Sequence, residues 1–318
     1  MSADWSGMGG DAWSDLGTVR ARLAAGASPD ADARHGRTAL WIAAEAGSPE
    51  VVAELAARSA DVDAEVDGRT ALWCAVYAGR ADNARALAEA GANPWRPMMN
   101  GWPPGRLALA GPTPGLFPRP DGEPGLTDEE SAFVSRAGSV VAALADFKDD
   151  GHSIACMAGI DAAEAMRRLD ATPATEEEIE EIFEDPFDDM EESLRFVGVT
   201  DVPGGCVVAQ PWGYAPFTTG VQKALSAGTS CYGLYSNPAS GNQGSAAVDG
   251  AVVEWDTHPG GGQVEESEPA ETILLKYLLQ GHAEAETFAR AGLLPPDSRA
   301  ITVEPDLWLK LPDGDLWA

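Results

Sequence analysis

The chain has 318 residues, 44% of them hydrophobic, which is enough for about two domains that each bury a core and which excludes wholesale disorder. Its formal net charge is −30, from 51 acidic and 21 basic residues, and such a field repels nucleic acid and anionic membranes. The charge therefore argues against those two partners and favours either a basic protein partner or solubility alone.

Motifs for export, membrane insertion and metal binding are missing from the sequence. The first residues show no basic region followed by an apolar core, and no apolar run reaches the roughly 20 residues that span a bilayer. Cys74, Cys156, Cys206 and Cys231 lie in apolar runs without a C-x-x-C pair, and the four histidines are scattered. These patterns predict a cytoplasmic protein with reduced core thiols and with neither a metal nor a cofactor.

One phrase occurs twice in the N-terminal third. Residues 36–47 read GRTALWIAAEAG, residues 68–79 read GRTALWCAVYAG, and the two copies start 32 residues apart. In each copy a threonine is placed to cap a first helix, a glycine ends it, and a second apolar stripe comes next. Weaker copies flank the pair, so the period predicts a repeat array.

The repeated residues resemble the ankyrin repeat, through G-x-T-x-L-x-x-A-x-x-G and the V-V-x-x-L return helix. The resemblance covers about residues 11–111 and implies an α-solenoid with projecting turns and a concave face used to bind proteins. The family's usual T-P-L-H is T-A-L-W here, so a tryptophan replaces the histidine that bonds between repeats. Two full repeats are fewer than such an array needs, so we expect the next segment of the chain to cover its open end.

Equivalent positions of a repeat array line one surface. Trp41, Glu45, Trp73 and Tyr77 are therefore predicted to form a stripe, and aromatic stripes make good protein-binding hot spots. The alternative is that both tryptophans pack between repeats in place of the missing histidine.

The projecting turns supply a second set of candidate contacts. They carry Arg34, His35, Arg37, Asp67 and Arg69. Loop residues on a rigid scaffold often carry function, although charged loop tips are also common as mere solvated surface.

A proline-rich linker and a helix, residues 112–145, separate the array (1–111) from a second domain (146–318). Thr127 and Glu130 form a capping-box signature before that helix, which is the candidate cover for the array.

Predicted strands of the second domain are residues 153–160, 195–201, 205–210, 230–236, 243–249, 251–256 and 300–305. Predicted helices are residues 161–169, 218–228, 272–280 and 283–292, together with a helix that Thr175 caps and Pro186 ends. The Asp249-Gly250 dipeptide is a strong hairpin signal. The fold class is thus a multi-domain chain, with a short all-α ankyrin solenoid followed by an α+β domain whose sheet is mainly antiparallel.

Residues 146–260 also resemble an actinobacterial family of domains of unknown function. The likeness lies in SIACMAGIDAAEAMRRL, PWGY, ALSAGTSCYGLYSN and DGAVVEWD. Because that family has no assigned activity, the resemblance implies a boundary and no mechanism.

Residues 176–192 contain eleven acidic residues and no basic one. They read either as a solvated helix face or as a patch for a basic partner. The acidic candidates are Glu176, Glu177, Glu180, Glu181, Glu184, Asp185, Asp188 and Asp189.

We therefore predict a non-enzymatic recognition protein whose partner is a protein, with charge favouring a basic one and an immunity, antitoxin-like or adaptor role. The alternative is an enzyme or small-ligand-binding domain at 146–318, with the ankyrin half selecting its client. The sequence has no G-x-S-x-G elbow and no phosphate-binding loop to support a particular chemistry.

Overall fold

The computed structural model describes residues 4–148 and 151–317. Its α-helices, in chain order, are α1 Leu16–Ala24, α2 Ala39–Ala46, α3 Pro49–Ala56, α4 Ala71–Tyr77, α5 Ala81–Glu89, α6 Pro104–Ala110, α7 Asp128–Ala143, α8 Ala162–Arg168, α9 Glu176–Glu184, α10 Met190–Ser193, α11 Thr219–Leu225, α12 Ala270–Leu278 and α13 Ala283–Ala291. The β-strands are β1 Asp32–Arg34, β2 Arg37–Thr38, β3 Glu65–Val66, β4 Arg69–Thr70, β5 His152–Ala158, β6 Thr172–Pro173, β7 Phe196–Val202, β8 Gly205–Gln210, β9 Ser230–Asn237, β10 Gly241–Val248, β11 Ala251–Asp256 and β12 Leu307–Lys310. Short 3-10 helices lie at Gly10–Ser14, Met99–Gly101, Ala215–Phe217 and Ser298–Ile301.

The described residues form two compact units, each assembled from separated stretches of chain. Unit 1 runs up to Ser131 and takes in Gln263–Leu278; unit 2 consists of Ala132–Gly262 and the chain from Leu279 onward. The residue ranges of the two units therefore differ from those of the predicted domains, because α12 belongs to the same unit as the N-terminal helices. That the helix after Thr127 covers the array stays a prediction.

Each full repeat in unit 1 is a small hairpin followed by two helices. The first hairpin turns at His35 and Gly36, with φ of 52° and 80°, and the second at Asp67 and Gly68, with φ of 50° and 72°. Two consecutive positive φ values are typical of a tight two-residue hairpin turn, and glycine adopts the second without steric cost. We call these turns and their flanking strands the fingers.

Threonine caps place the first helix of each repeat. Thr38 Oγ1 accepts a hydrogen bond from the Trp41 amide at 3.1 Å, and Thr70 Oγ1 accepts one from the Trp73 amide at 3.2 Å. These bonds satisfy a backbone donor that the helix itself leaves open. The repeated threonine therefore fixes where α2 and α4 begin.

A buried amide joins neighbouring repeats. Asn83 on α5 is 3% exposed, and its Nδ2 donates to the carbonyls of Ala43, Ala44 and Gly47 at 3.3, 3.1 and 3.0 Å. The last carbonyls of a helix lack an intrahelical donor, and of these three only the Ala43 carbonyl also accepts from the Gly47 amide, at 2.7 Å. Asn83 thus acts as a C-cap supplied by the next repeat.

The last repeat is short, and α12 packs against it within unit 1. Asn100 Nδ2 donates to the Glu268 carbonyl at 3.0 Å, and Trp102 Nε1 donates to the Ala270 carbonyl at 2.8 Å. Tyr77 and Tyr277 place their ring centroids 5.5 Å apart. The stretch 263–278 therefore extends the array beyond its own repeats.

Unit 2 contains an eight-stranded sheet in the order β11-β10-β9-β5-β8-β7-β12-β6, and every neighbouring pair is antiparallel. Asp249 and Gly250 join β10 to β11 with φ of 49° and 80°, as the hairpin signal predicts. Helices complete the unit, so the predicted α+β class with an antiparallel sheet is confirmed.

One predicted strand is wrong. The sequence predicts an extended segment over 300–305, but Ala300 and Ile301 belong to a 3-10 helix, and the strand of this region is Leu307–Lys310. Asp297 Oδ1 accepts from the Arg299 amide at 2.9 Å and caps the 3-10 turn. Pro305, which lacks an amide donor, precedes the true strand.

Candidate functional site

The fingers carry the charged side chains that the sequence singles out. Arg34, His35 and Asp67 are exposed at the turns, whereas Arg37 and Arg69 lie at the bases of the fingers and are partly buried. We call these five residues the finger surface. Because both turns are tight and hydrogen-bonded hairpins, they hold these side chains on a rigid support.

The tryptophans of the predicted stripe are packed inside the array. Trp41 is 2% exposed and Trp73 1% exposed, so the structure contradicts their use as surface contacts and adopts the packed alternative. Trp73 donates from Nε1 to the Trp102 carbonyl at 2.9 Å and stacks on Tyr77, with centroids 4.6 Å apart. The physical reason is that burial removes a large apolar ring from water, and at Trp73 the ring nitrogen also finds a carbonyl partner. Tyr77 is half-buried.

Trp41 is covered by two arginines. The guanidinium carbon of Arg37 lies 4.3 Å from the centroid of the Trp41 ring, and that of Arg69 lies 5.7 Å from it. Glu45, one turn further along α2, places Oε2 3.8 Å from Arg37 Nη1. Burial raises the pKa of the Glu45 carboxyl, and Arg37 and Arg69 oppose that rise. The cluster thus holds two cations and one anion above an aromatic platform.

The arginines of the finger surface differ from the other arginines of unit 1 in the hydrogen bonds that they make. None of the guanidinium groups of Arg34, Arg37 and Arg69 donates a hydrogen bond to another described residue, and Nε of Arg69 is buried without a partner among them. Each remaining arginine of unit 1 donates at least one hydrogen bond to a described residue. The finger arginines therefore keep their donor capacity while the structural arginines use theirs.

An open hollow of about 910 Å³ lies beside the second finger. Its lining residues within unit 1 are Asp67, Gly68, Arg69, Gln263, Val264, Glu265, Glu266, Ser267, Glu268 and Lys276. The sequence does not predict the side of the hollow that residues 263–268 form, because nothing in this stretch indicates a contact with a repeat far away in the chain.

A protein-family comparison bears on this geometry. The model described as "Ankyrin repeats (3 copies)" matches residues 12–98. Residues 12–98 are ankyrin repeats. Such repeats indicate a protein–protein interaction module. A comparison with curated proteins gives no significant match.

The ankyrin array has aromatic caps that the sequence motif does not specify. Trp5 and Trp13 are buried at its N-terminal end with ring centroids 5.6 Å apart, and Trp5 Nε1 donates to the Ser28 carbonyl at 2.7 Å. These rings cover the first repeat within the described chain. These rings therefore stabilise the array.

The predicted acidic patch lies on unit 2, along α9 and the turn after it. All eight acidic side chains are exposed; they are Glu176, Glu177, Glu180, Glu181, Glu184, Asp185, Asp188 and Asp189. Phe183 and Phe187 are also exposed. Phe183 contacts Trp212 and Trp308 edge-on, with centroids 5.3 and 5.6 Å away. The exposed Phe183 ring therefore lies on the same helix as five of these acids.

Glu178 belongs to the framework of α9. It completes a capping box with Thr175, and Lys310 Nζ lies 3.0 Å from its Oε1. The hydrogen bond from the Thr175 amide, together with that from Lys310, lowers the pKa of Glu178 to about 2. This capping confirms the predicted start of the helix.

The cysteine thiols of Cys156, Cys206 and Cys231 are buried, and burial raises the pKa of Cys206 to about 12. No group of three or more metal-ligating side chains occurs among residues 4–148 and 151–317. A hollow of about 270 Å³ beside His258 and Gly260 is smaller than the roughly 300–1,000 Å³ of ligand pockets. In the part of the chain that the structure describes, no helix has the length and apolar character to cross a bilayer.

Proposed function

We propose that the protein is a non-enzymatic recognition module whose ankyrin array binds a protein partner through the finger surface. The observation that carries this proposal is the unused donor capacity of Arg34, Arg37 and Arg69, set against the engaged arginines elsewhere in unit 1. Arginine is among the residues that dominate binding energy at interfaces, because it makes several directed hydrogen bonds at once.

We further propose that long-range attraction selects a partner that is basic overall. The net charge of −30 and the exposed acids of the α9 region support this proposal, because such fields raise association rates with opposite charge and repel nucleic acid and anionic membrane. An immunity, antitoxin-like or adaptor role in the cytoplasm is proposed on the same reasoning. The likeness of residues 146–260 to an actinobacterial family of unknown function remains part of this proposal.

The test compares captured proteins quantitatively. Full-length wild type, the double variant Arg34→Ala/Arg37→Ala, and the control Arg58→Ala/Arg85→Ala are used as baits in native lysate. Arg58 follows α3 and donates to the Glu54 carbonyl of that helix. Arg85 lies on α5 and donates to the Asp82 side chain of the same helix.

The finger variant should lose at least tenfold of a partner that the control retains, since interface hot spots contribute about 2 kcal/mol or more and 1.4 kcal/mol is tenfold. Equal capture by the finger variant and wild type would refute the role of the fingers. The basic character of the partner is read from its sequence and from weaker capture at high salt.

A further inference from the structure

The Arg37–Trp41–Arg69 cluster has an excess of hydrogen-bond donors. Each guanidinium has five N–H donors and no acceptor. The two carboxylates nearest to them, on Glu45 and Asp67, lie 3.8 and 4.0 Å away, which is too long for a hydrogen bond. Within the described residues, the cluster therefore has charged neighbours but no hydrogen-bonded acceptor.

Two N–H donors of the cluster, one on Trp41 and one on Arg69, are also shielded from solvent. The Trp41 indole N–H and the Arg69 Nε–H are buried, and neither has a hydrogen-bond partner among the described residues. Trp41 as a whole is 2% exposed, whereas the Arg37 side chain above it is 43% exposed. Because Arg37 is the accessible part, a ligand reaches the cluster from the side of the first finger.

The chemistry that fits unused guanidinium donors is a carboxylate, which accepts two parallel hydrogen bonds from one arginine. Both guanidinium carbons lie within 6 Å of the Trp41 centroid, so the aromatic platform fixes two such forks near each other. We propose that this cluster binds a side-chain carboxylate, an aspartate or glutamate, on an extended segment of the partner. The inference rests on the proposed function of the finger surface and names the group that it recognises.

Nearby acids restrict the charge of the ligand. Glu45 and Asp67 flank the two arginines, and Glu265 and Glu266 line the hollow beside Arg69. A phosphate carries nearly two negative charges at neutral pH and is repelled more strongly here than a singly charged carboxylate. These acids therefore favour a carboxylate over a phosphate group.

Glu45 acts as an internal competitor for Arg37. It holds Arg37 as an ion pair but without a hydrogen bond, and an incoming carboxylate takes over that interaction. Removing the Glu45 charge should consequently strengthen the binding of an acidic ligand and weaken that of a basic one. This sign distinguishes the proposal from simple attraction of a basic partner.

The experiment uses the full chain and fluorescein-labelled peptides of matched length: tetraglutamate amide, tetralysine amide, and triglycine with one phosphoserine, also as an amide. Fluorescence anisotropy gives the dissociation constants. NMR signals of the Trp41 indole N–H and the Arg37 and Arg69 Nε–H groups report where the peptide lies.

We expect tetraglutamate to bind at the cluster and, unlike tetralysine, to shift these three side-chain signals. Arg37→Gln and Arg69→Gln should each weaken it by about tenfold, which corresponds to losing one charge-assisted pair. Glu45→Gln should strengthen it severalfold, and the control Arg85→Gln should leave it unchanged. Arg69→Lys provides a second variant if Arg69→Gln does not fold.

Three results would overturn the proposal: unchanged tetraglutamate binding in both Arg37→Gln and Arg69→Gln, weaker binding in Glu45→Gln, or tighter binding of tetralysine or the phosphopeptide at these signals. The outcome separates the two proposals. If the finger variant loses its partner yet tetraglutamate does not bind, only the carboxylate assignment fails. If tetraglutamate binds as expected but the finger variant keeps its partner, the proposed function fails instead.

Discussion

The two equivalent tryptophans of the ankyrin array should differ in what their ring nitrogens contribute to stability. Trp73 donates to the Trp102 carbonyl at 2.9 Å, whereas the Trp41 Nε1 has no partner among the described residues. Trp→Phe removes the same atoms from two almost fully buried sites, so the cost of lost packing, about 1–2 kcal/mol, is similar at both. At Trp73 the change also orphans a buried carbonyl, which adds about 1–3 kcal/mol. At Trp41 it removes a donor that was already unpaired.

Native-state hydrogen exchange on the full chain measures this difference, because it reports opening of individual helices and does not require the whole chain to unfold at once. The opening free energy of α4 should fall by about 2–5 kcal/mol in Trp73→Phe, and that of α2 by about 1–2 kcal/mol in Trp41→Phe. Trp255→Phe, at an exposed position on β11, is the control and should change little. Equal losses at the two buried sites, or a larger one at Trp41, would refute the reasoning.

Three further changes test the scaffold and one cap. Asn83→Leu should lower the opening free energy of α2 by about 2–4 kcal/mol, because the carbonyls that end this helix lose their shared donor; exchange of the α2 amides measures it. Gly105→Ala should destabilise α6 by about 1–3 kcal/mol in the same assay, since the new Cβ would lie 2.7 Å from the Trp95 ring; a gain in stability would show that this ring moves freely. Because the folded pKa of Glu178 is about 2, below its usual 4.5, the cap it forms with Thr175 is fully present above pH 4.5 and is lost as the pH falls toward 2. Amide protection of α9 across that window, compared with Glu178→Gln, checks the sign.

The parts of the fold that rest on local patterns could be predicted from the sequence. The period of the GRTALW phrase located two repeats, and Thr38 and Thr70 cap the helices that the phrase predicts. Short apolar runs located the central strands of unit 2, and the Asp249-Gly250 turn located the hairpin of β10 and β11 at the edge of its sheet. These features depend on contacts within a few residues, where spacing alone carries the information.

Features that depend on distant contacts could not be predicted. The strand Leu307–Lys310 is fixed by pairing with β7, more than a hundred residues earlier. Residues 272–280 form an ordinary helical pattern in the sequence. Nothing in the stretch before them shows that Asn100 and Trp102 bond to the carbonyls of Glu268 and Ala270. The burial of Trp41 and Trp73 was equally open, since a tryptophan at a repeat position suits an interface and a core alike.

The replacement of the usual ankyrin histidine by tryptophan connects the scaffold to the candidate site. At the second repeat, the indole N–H of Trp73 bonds across to the next repeat, so this tryptophan takes over the stabilising role of the histidine. At the first repeat, Trp41 makes no such bond with the described residues and serves as the platform beneath Arg37 and Arg69. The same substitution thus has two consequences, and the difference lies in the neighbours of each ring. Where a further repeat offers a carbonyl, the ring locks the array; where two arginines lie over it, the ring holds their unused donors toward a ligand.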